Sequence, residues 1–128
     1  MIAKDIMTRD VIIVSSTTTV KKLAMMLIKN QISGAPVAGK NGKIVGVVSE
    51  ADIVSKRGKD VRAIMTKQII SVTENDPVEK IAQLMTTHRI KRLPVMRGEK
   101  LVGIVSRADI VSAIALGKHV ALSPAYNL

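Results

Sequence analysis

The chain has 128 residues, 47% of them apolar, which suits one compact domain or two small ones sharing a core and argues against disorder. It has no cysteine, so a disulfide framework, a thiolate metal site and a cysteine nucleophile are excluded. Twenty Lys and Arg against ten Asp and Glu leave a net charge of +10, which favours anionic partners such as nucleotides, nucleic acid or acidic protein surfaces.

No apolar run approaches the ~20 residues of a membrane helix. The opening MIAKDIMTRD mixes acids and bases and lacks a secretory apolar core. A cytoplasmic protein with no membrane contact is the expectation. Aromatic rings are nearly absent, with Tyr126 but no Phe or Trp, so the stacking platform of single-strand nucleic-acid binders is missing.

In chain order, VIIV (11–14) reads as a short buried strand. Thr18 is placed to cap a helix on which Val20, Leu23, Ala24 and Leu27 share one face. Strands around 35–38 and 43–48 follow, joined through the hairpin signal Asn41-Gly42. A helix begins after Ser49, and KRGKD (56–60) makes a charged linker. The series then repeats. IISV (69–72) is a strand, Asp76 caps a helix with Pro77 in its first position, and Val78, Ile81, Ala82 and Met85 form the apolar face. A hairpin turns through Arg97-Gly98-Glu99, and a last helix follows Ser106.

The order β-α-β-β-α is therefore written twice, an α+β pattern. Shifting the sequence by 58 lays Ile6-Met7-Thr8 on Ile64-Met65-Thr66 and Ile32, Pro36 and Val37 on Ile90, Pro94 and Val95. Past the hairpin turn the shift is 57, and VVSEADIVS (47–55) matches IVSRADIVS (104–112). The copies span 1–58 and 59–116, leaving a tail at 117–128. A unit of roughly 60 residues is marginal alone. Two such units packed about a pseudo-twofold bury more surface and leave two equivalent clefts, the kind of interface ligands favour.

Each copy carries Ser-x-x-Asp at the start of its last helix, and two uses of it stand side by side. As a capping box, the serine accepts a backbone N–H and the acid reaches back, contributing about 0.5–2 kcal/mol. As a ligand site, the carboxylate accepts both hydroxyls of a ribose diol, with about 1.5–3 kcal/mol from hydrogen bonds to a charged group. The free N–H groups of the helix start then suit a phosphate.

The repeated I-M-T, the I-x-x-x-P-V before each hairpin, and the G-h-h-S-x-x-D-I-V after it (h apolar) resemble the CBS-domain pair, or Bateman module, over about residues 3–115. The resemblance implies two tandem β-α-β-β-α CBS motifs. It implies that Asp52 and Asp109 hold a ribose and that Ser49 and Ser106 lie near phosphate. One cleft would set Ser49 and Asp52 against an adenine wall of Met65, Thr66, Ile69, Ile70 and Pro94. The segment IKRLPV is similar to the IHRLPV of nucleotide-binding members, which makes Lys91 and Arg92 a phosphate clamp in that cleft, with Arg107 nearby. The planar fork of an arginine suits phosphate. The other cleft would set Ser106 and Asp109 against Met7, Thr8, Val11, Ile12 and Pro36. There Ser33-Gly34 replace the basic pair and Glu50 replaces Arg107, which suits adenosine, AMP held through Ser33, or cationic S-adenosylmethionine.

No catalytic constellation, Gly-rich phosphate loop or metal-ligand spacing is present in the sequence. His88 and His119 read as surface or structural, and Met25, Met26 and Met85 as core filler. The chain is expected not to be an enzyme and to use no catalytic cofactor or metal. The resemblance points to an energy-sensing regulatory module that binds an adenine nucleotide (AMP, ADP or ATP). It would signal to an effector protein on another chain or through a homodimer. The adenosine half is common to AMP, ATP, NAD and S-adenosylmethionine, so the aspartate recognises the class rather than the member. The alternative is nucleic-acid binding by the basic surface, where six Lys and Arg between 89 and 107 face one Glu at 99.

Overall fold

The structure, a computed structural model, describes residues 1–117, so the tail with His119 and Tyr126 lies outside it apart from Gly117. The chain forms two compact units, a first of Ile12–Ile69 and a second that joins Met1–Val11 to the residues from Ile70 onward. Each is a three-stranded sheet with helices, an α+β arrangement as expected.

In the first unit β1 (Val14–Ser15) runs parallel to β2 (Gly34–Ala38), which pairs antiparallel with β3 (Ile44–Ser49). Helix α2 (Val20–Asn30) turns Leu23 and Leu27 onto Val14, Val37 and Val48, and α3 (Glu50–Ser55) follows β3. The second unit repeats the plan with β4 (Val72–Thr73), α5 (Val78–His88), β5 (Arg92–Arg97), β6 (Lys100–Ser106) and α6 (Arg107–Ala115). Its core gathers Val78, Ile81 and Met85 of α5 with Leu93, Val95 and Val105 of the sheet. Gly42 and Gly98 take φ of +77° and +60° at the hairpin turns, a region open to glycine at little steric cost.

Two short helices were not foreseen: α1 (Ala3–Ile6) and α4 (Val61–Ile64), four residues each and too short to show a helical period. Each docks on the other copy's sheet. Ala3 N donates to Asp76 O at 2.8 Å and Thr8 exchanges two backbone bonds with Ile104, so α1 belongs with the second copy. Symmetrically, Val61 N donates to Thr18 O at 2.8 Å and Thr66 exchanges two bonds with Val47. Ala3, Met7, Val61 and Ile64 enter the two cores this way.

The first strand of each copy is shorter than expected. Only Val14 and Ser15 pair, against Val37 and Ala38, and only Val72 and Thr73, against Val95 and Met96. The next partners down the ladder are Pro36 and Pro94, which have no N–H to give. The helix caps fall one residue later than expected. Thr19 Oγ1, not Thr18, accepts from Lys22 N at 3.2 Å, because Thr18 is committed through its backbone to Ser15 and Val61. Pro77 is the cap residue of α5, and Asp76 instead closes the preceding turn by accepting from Thr73 N at 2.8 Å.

Candidate functional site

Both Ser-x-x-Asp motifs stand where a buried strand ends and a helix starts. β6 delivers Ser106 as the cap of α6, so Asp109 falls three residues on and turns back along the same face. Asp109 Oδ2 accepts from Ser106 N at 2.8 Å, and Ser106 Oγ accepts from Asp109 N at 3.2 Å. Among the described residues none donates to Asp109 Oδ1. The capping box therefore exists, and it uses only one side of the carboxylate.

β3 delivers Ser49 and Asp52 in the same way, with Ser49 N donating to Asp52 Oδ2 at 2.9 Å. Here the Ser49 hydroxyl donates to the same oxygen at 3.3 Å. The second oxygen, Oδ1, faces Lys56 Nζ at 2.8 Å. Asp52 is the one buried charged residue among those described, at 8% exposure, whereas Asp109 is half-buried.

Hairpin register decides what stands beside each motif. Arg92 pairs with Ser106 across β5 and β6, and Arg107 N donates to Lys91 O at 2.7 Å. The basic residues Lys91, Arg92 and Arg107 are thus grouped with Ser106 and Asp109. In the first unit Gly34 pairs with Ser49, and Glu50 N donates to Ser33 O at 2.9 Å. The weakly charged set of Ser33 and Glu50 is thus grouped with Ser49 and Asp52. This is a grouping within each hairpin, whereas the expected clefts, with Lys91 and Arg92 set against Asp52 and Ser33 against Asp109, join residues of opposite copies. Residues on paired strands of one hairpin must be neighbours, whatever else approaches them.

The Met-Thr pairs follow the exchanged helices. Met7 is buried and Thr8 exposed beside β6 in the second unit; Met65 is half-buried and Thr66 exposed beside β3 in the first. Each unit therefore combines Ser and Asp from one copy with Met and Thr from the other. The fit is close, since a Cβ on Gly103 would lie 2.6 Å from Met7 Sδ and 3.0 Å from Thr8 O. On Gly46 it would lie 2.8 Å from Thr66 O. Val11, Ile12, Ile69 and Ile70 are half-buried in extended segments where the chain passes from one unit to the other. Pro36 and Pro94 are buried in β2 and β5.

A feature the sequence did not announce is a hollow of about 490 Å³ between α5 and α6, with an apolar floor that includes Met85 and Ile110 and a rim of Arg89, Lys91 and Arg107. Among the described residues no three His, Cys, Asp or Glu side chains gather as a metal site, and no helix is long and apolar enough to cross a membrane.

Comparison with known proteins places this geometry. The chain is 32% identical over 113 residues to the L-aspartate semialdehyde sulfurtransferase of Methanocaldococcus jannaschii, an alignment that takes in 85% of this chain and 22% of that protein. The chain thus spans about a fifth of that relative's length. The CBS domain pair of protein MJ0100, solved with 5′-methylthioadenosine and S-adenosyl-L-methionine, superimposes with a TM-score of 0.86 at 30% identity, covering 92% of this chain and 98% of that one. CBSX2, solved with AMP, superimposes with a TM-score of 0.84 at 28% identity and the same coverage. The model of the family described as CBS domain matches twice in tandem, at residues 3–59 and 61–116, and the chain accordingly belongs to the CBS-domain family as a CBS-domain pair.

Proposed function

We propose that this CBS-domain pair is a non-catalytic regulatory module that binds an adenosine ligand and passes the change on to an effector protein. The observation that carries the reading is the Ser106–Asp109 turn. Among the described residues it leaves one carboxylate oxygen open, and it stands beside Lys91, Arg92 and Arg107 in the same unit. A ribose diol has two donors for that carboxylate, and the three cations suit phosphate. Support for adenosine comes from the similar structures, one solved with AMP and one with 5′-methylthioadenosine and S-adenosyl-L-methionine.

In this reading Asp109 takes the ribose, Ser106, Lys91, Arg92 and Arg107 take the phosphate, and Met7, Thr8 and Val11 flank the base. The second unit is the site for AMP, ADP or ATP. The first, with Ser33, Ser49, Glu50 and Asp52, suits adenosine or cationic S-adenosylmethionine better than a polyphosphate. The module works in the cytoplasm, as a sensor of energy state and as a homodimer.

Thermal unfolding against AMP, ADP, ATP, NAD and S-adenosylmethionine tests the proposal. Ligand at 100 times its Kd stabilises by about 2.7 kcal/mol, a rise of roughly 5–15 °C for a domain of this size. The adenylates are expected to give that rise and Asp109→Ala to remove most of it. No shift with any of them, together with salt-sensitive binding that needs polymer length, returns the basic surface to nucleic acid.

A further inference from the structure

The two Ser-x-x-Asp turns differ in the residue four places after the aspartate, which is Lys56 in the first copy and Ala113 in the second. Lys56 Nζ lies 2.8 Å from Asp52 Oδ1, 3.2 Å from the carbonyl oxygen of Ile64 and 3.5 Å from Thr66 Oγ1. Its three donors thus span two of the residues assigned above to an adenosine ligand, and all of these groups lie in the first unit. Asp52 Oδ2 is already held by the backbone and hydroxyl of Ser49. Ala113 has nothing to offer Asp109, whose Oδ1 receives no hydrogen bond among the described residues.

We propose that Lys56 is a built-in occupant of the Asp52 site. Its ammonium stands where the ribose donors would stand, so the first unit takes an adenosine ligand only once Lys56 has left the carboxylate, and the chain takes its first ligand at Asp109. An ammonium and a hydroxyl both make charge-assisted bonds to the carboxylate, so a diol gains little there that offsets expelling the lysine. The Lys56 side chain is 43% exposed, so it leaves the carboxylate without opening the core, and the closure is reversible. The asymmetry is local in origin: one lysine sets the order in which two otherwise equivalent turns fill.

This inference rests on the adenosine reading, and titration calorimetry with AMP separates the two. Wild type is expected to bind one AMP per chain, lost in Asp109→Ala. Lys56→Ala and Lys56→Met are expected to bind two, with affinity at the added site at least about tenfold higher than in wild type and lost again when Asp52→Ala is added. Removing a cation weakens any general attraction for AMP, so a gain points to release of the carboxylate. Two equal sites in wild type overturn the proposal, as does a Lys56 variant that still binds one AMP or binds it more weakly; in each of these the adenosine reading survives. Failure of every protein to bind AMP removes both.

Discussion

Glu74 holds the Arg97 guanidinium at 2.7 Å from Nε and 3.0 Å from Nη2, and that hydrogen-bonded partner keeps its carboxyl below the ordinary glutamate range. Asp76 is lowered as well, first by the Thr73 N–H it accepts and then by Lys80 at 3.2 Å. A carboxylate depressed in the folded state contributes stability above its unfolded pKa, near ~4, and loses it as pH falls through the folded value. The melting temperature is therefore expected to fall as the pH drops below about 4, and Asp76→Asn combined with Glu74→Gln to flatten that part of the curve; a double variant that follows wild type throughout refutes it. Charge on the ligand side gives a second residue-scale expectation. Arg92→Ala should weaken AMP and ATP by about tenfold or more while leaving adenosine nearly unchanged, because only the phosphate loses a charged partner. Equal losses for all three by calorimetry would remove Arg92 from the phosphate.

At the scale of elements, the exchange of α1 and α4 between copies is what completes each unit. The segment after each helix lies on a glycine of the other copy's last strand, 2.8 Å from Thr66 O at the Gly46 Cβ position and 3.0 Å from Thr8 O at that of Gly103. Backbone does not yield as a flexible side chain does, so Gly46→Ala is expected to cost about 1–3 kcal/mol. That is a drop of several degrees in thermal unfolding, while the open turn position Gly98→Asn should change little. An unaltered midpoint for Gly46→Ala would mean that the segment is loosely docked. The sequence made the repeat, the hairpins and the helix starts after Ser49 and Ser106 legible, because period-two and period-3.6 patterns and turn glycines are local signals. The exchange was not legible, since four-residue helices have no period and their partners are settled by backbone bonds such as Ala3 to Asp76 and Val61 to Thr18. The resemblance marked Lys91 and Arg92 as candidate phosphate ligands, and strand register adds that Arg92 is the partner of Ser106. Lys56 escaped notice for a similar reason. It looked like part of a charged linker, and only the closing turn of α3 brings it onto Asp52.

At the scale of the whole molecule, each unit keeps an apolar helix face turned to solvent. On α6, Val111 and Ile114 are 60% and 45% exposed beside the buried Ile110, and all three line the hollow between α5 and α6. On α2 and α3, Ile28 and Val54 are 80% and 87% exposed. Apolar groups spaced three apart on a helix and left in water mark an interaction surface more often than scattered single residues do. A symmetric dimer uses the same patch twice, which fits the homodimer proposed above. The chain also carries a charge of +10, so two copies repel each other over the distances at which salt screens poorly. Dimerisation through these faces is therefore expected to strengthen from ~20 mM to ~300 mM salt, where the Debye length shrinks to a few ångströms. Val111→Lys with Ile114→Lys should give a monomer by light scattering at every salt concentration. Because both side chains are already exposed, that variant should keep its melting temperature within a few degrees once the wild-type comparison is made at a concentration where it too is monomeric. A wild type that stays monomeric at ~100 µM and high salt sinks the dimer, whereas a dimer that survives both lysines moves the interface to another face.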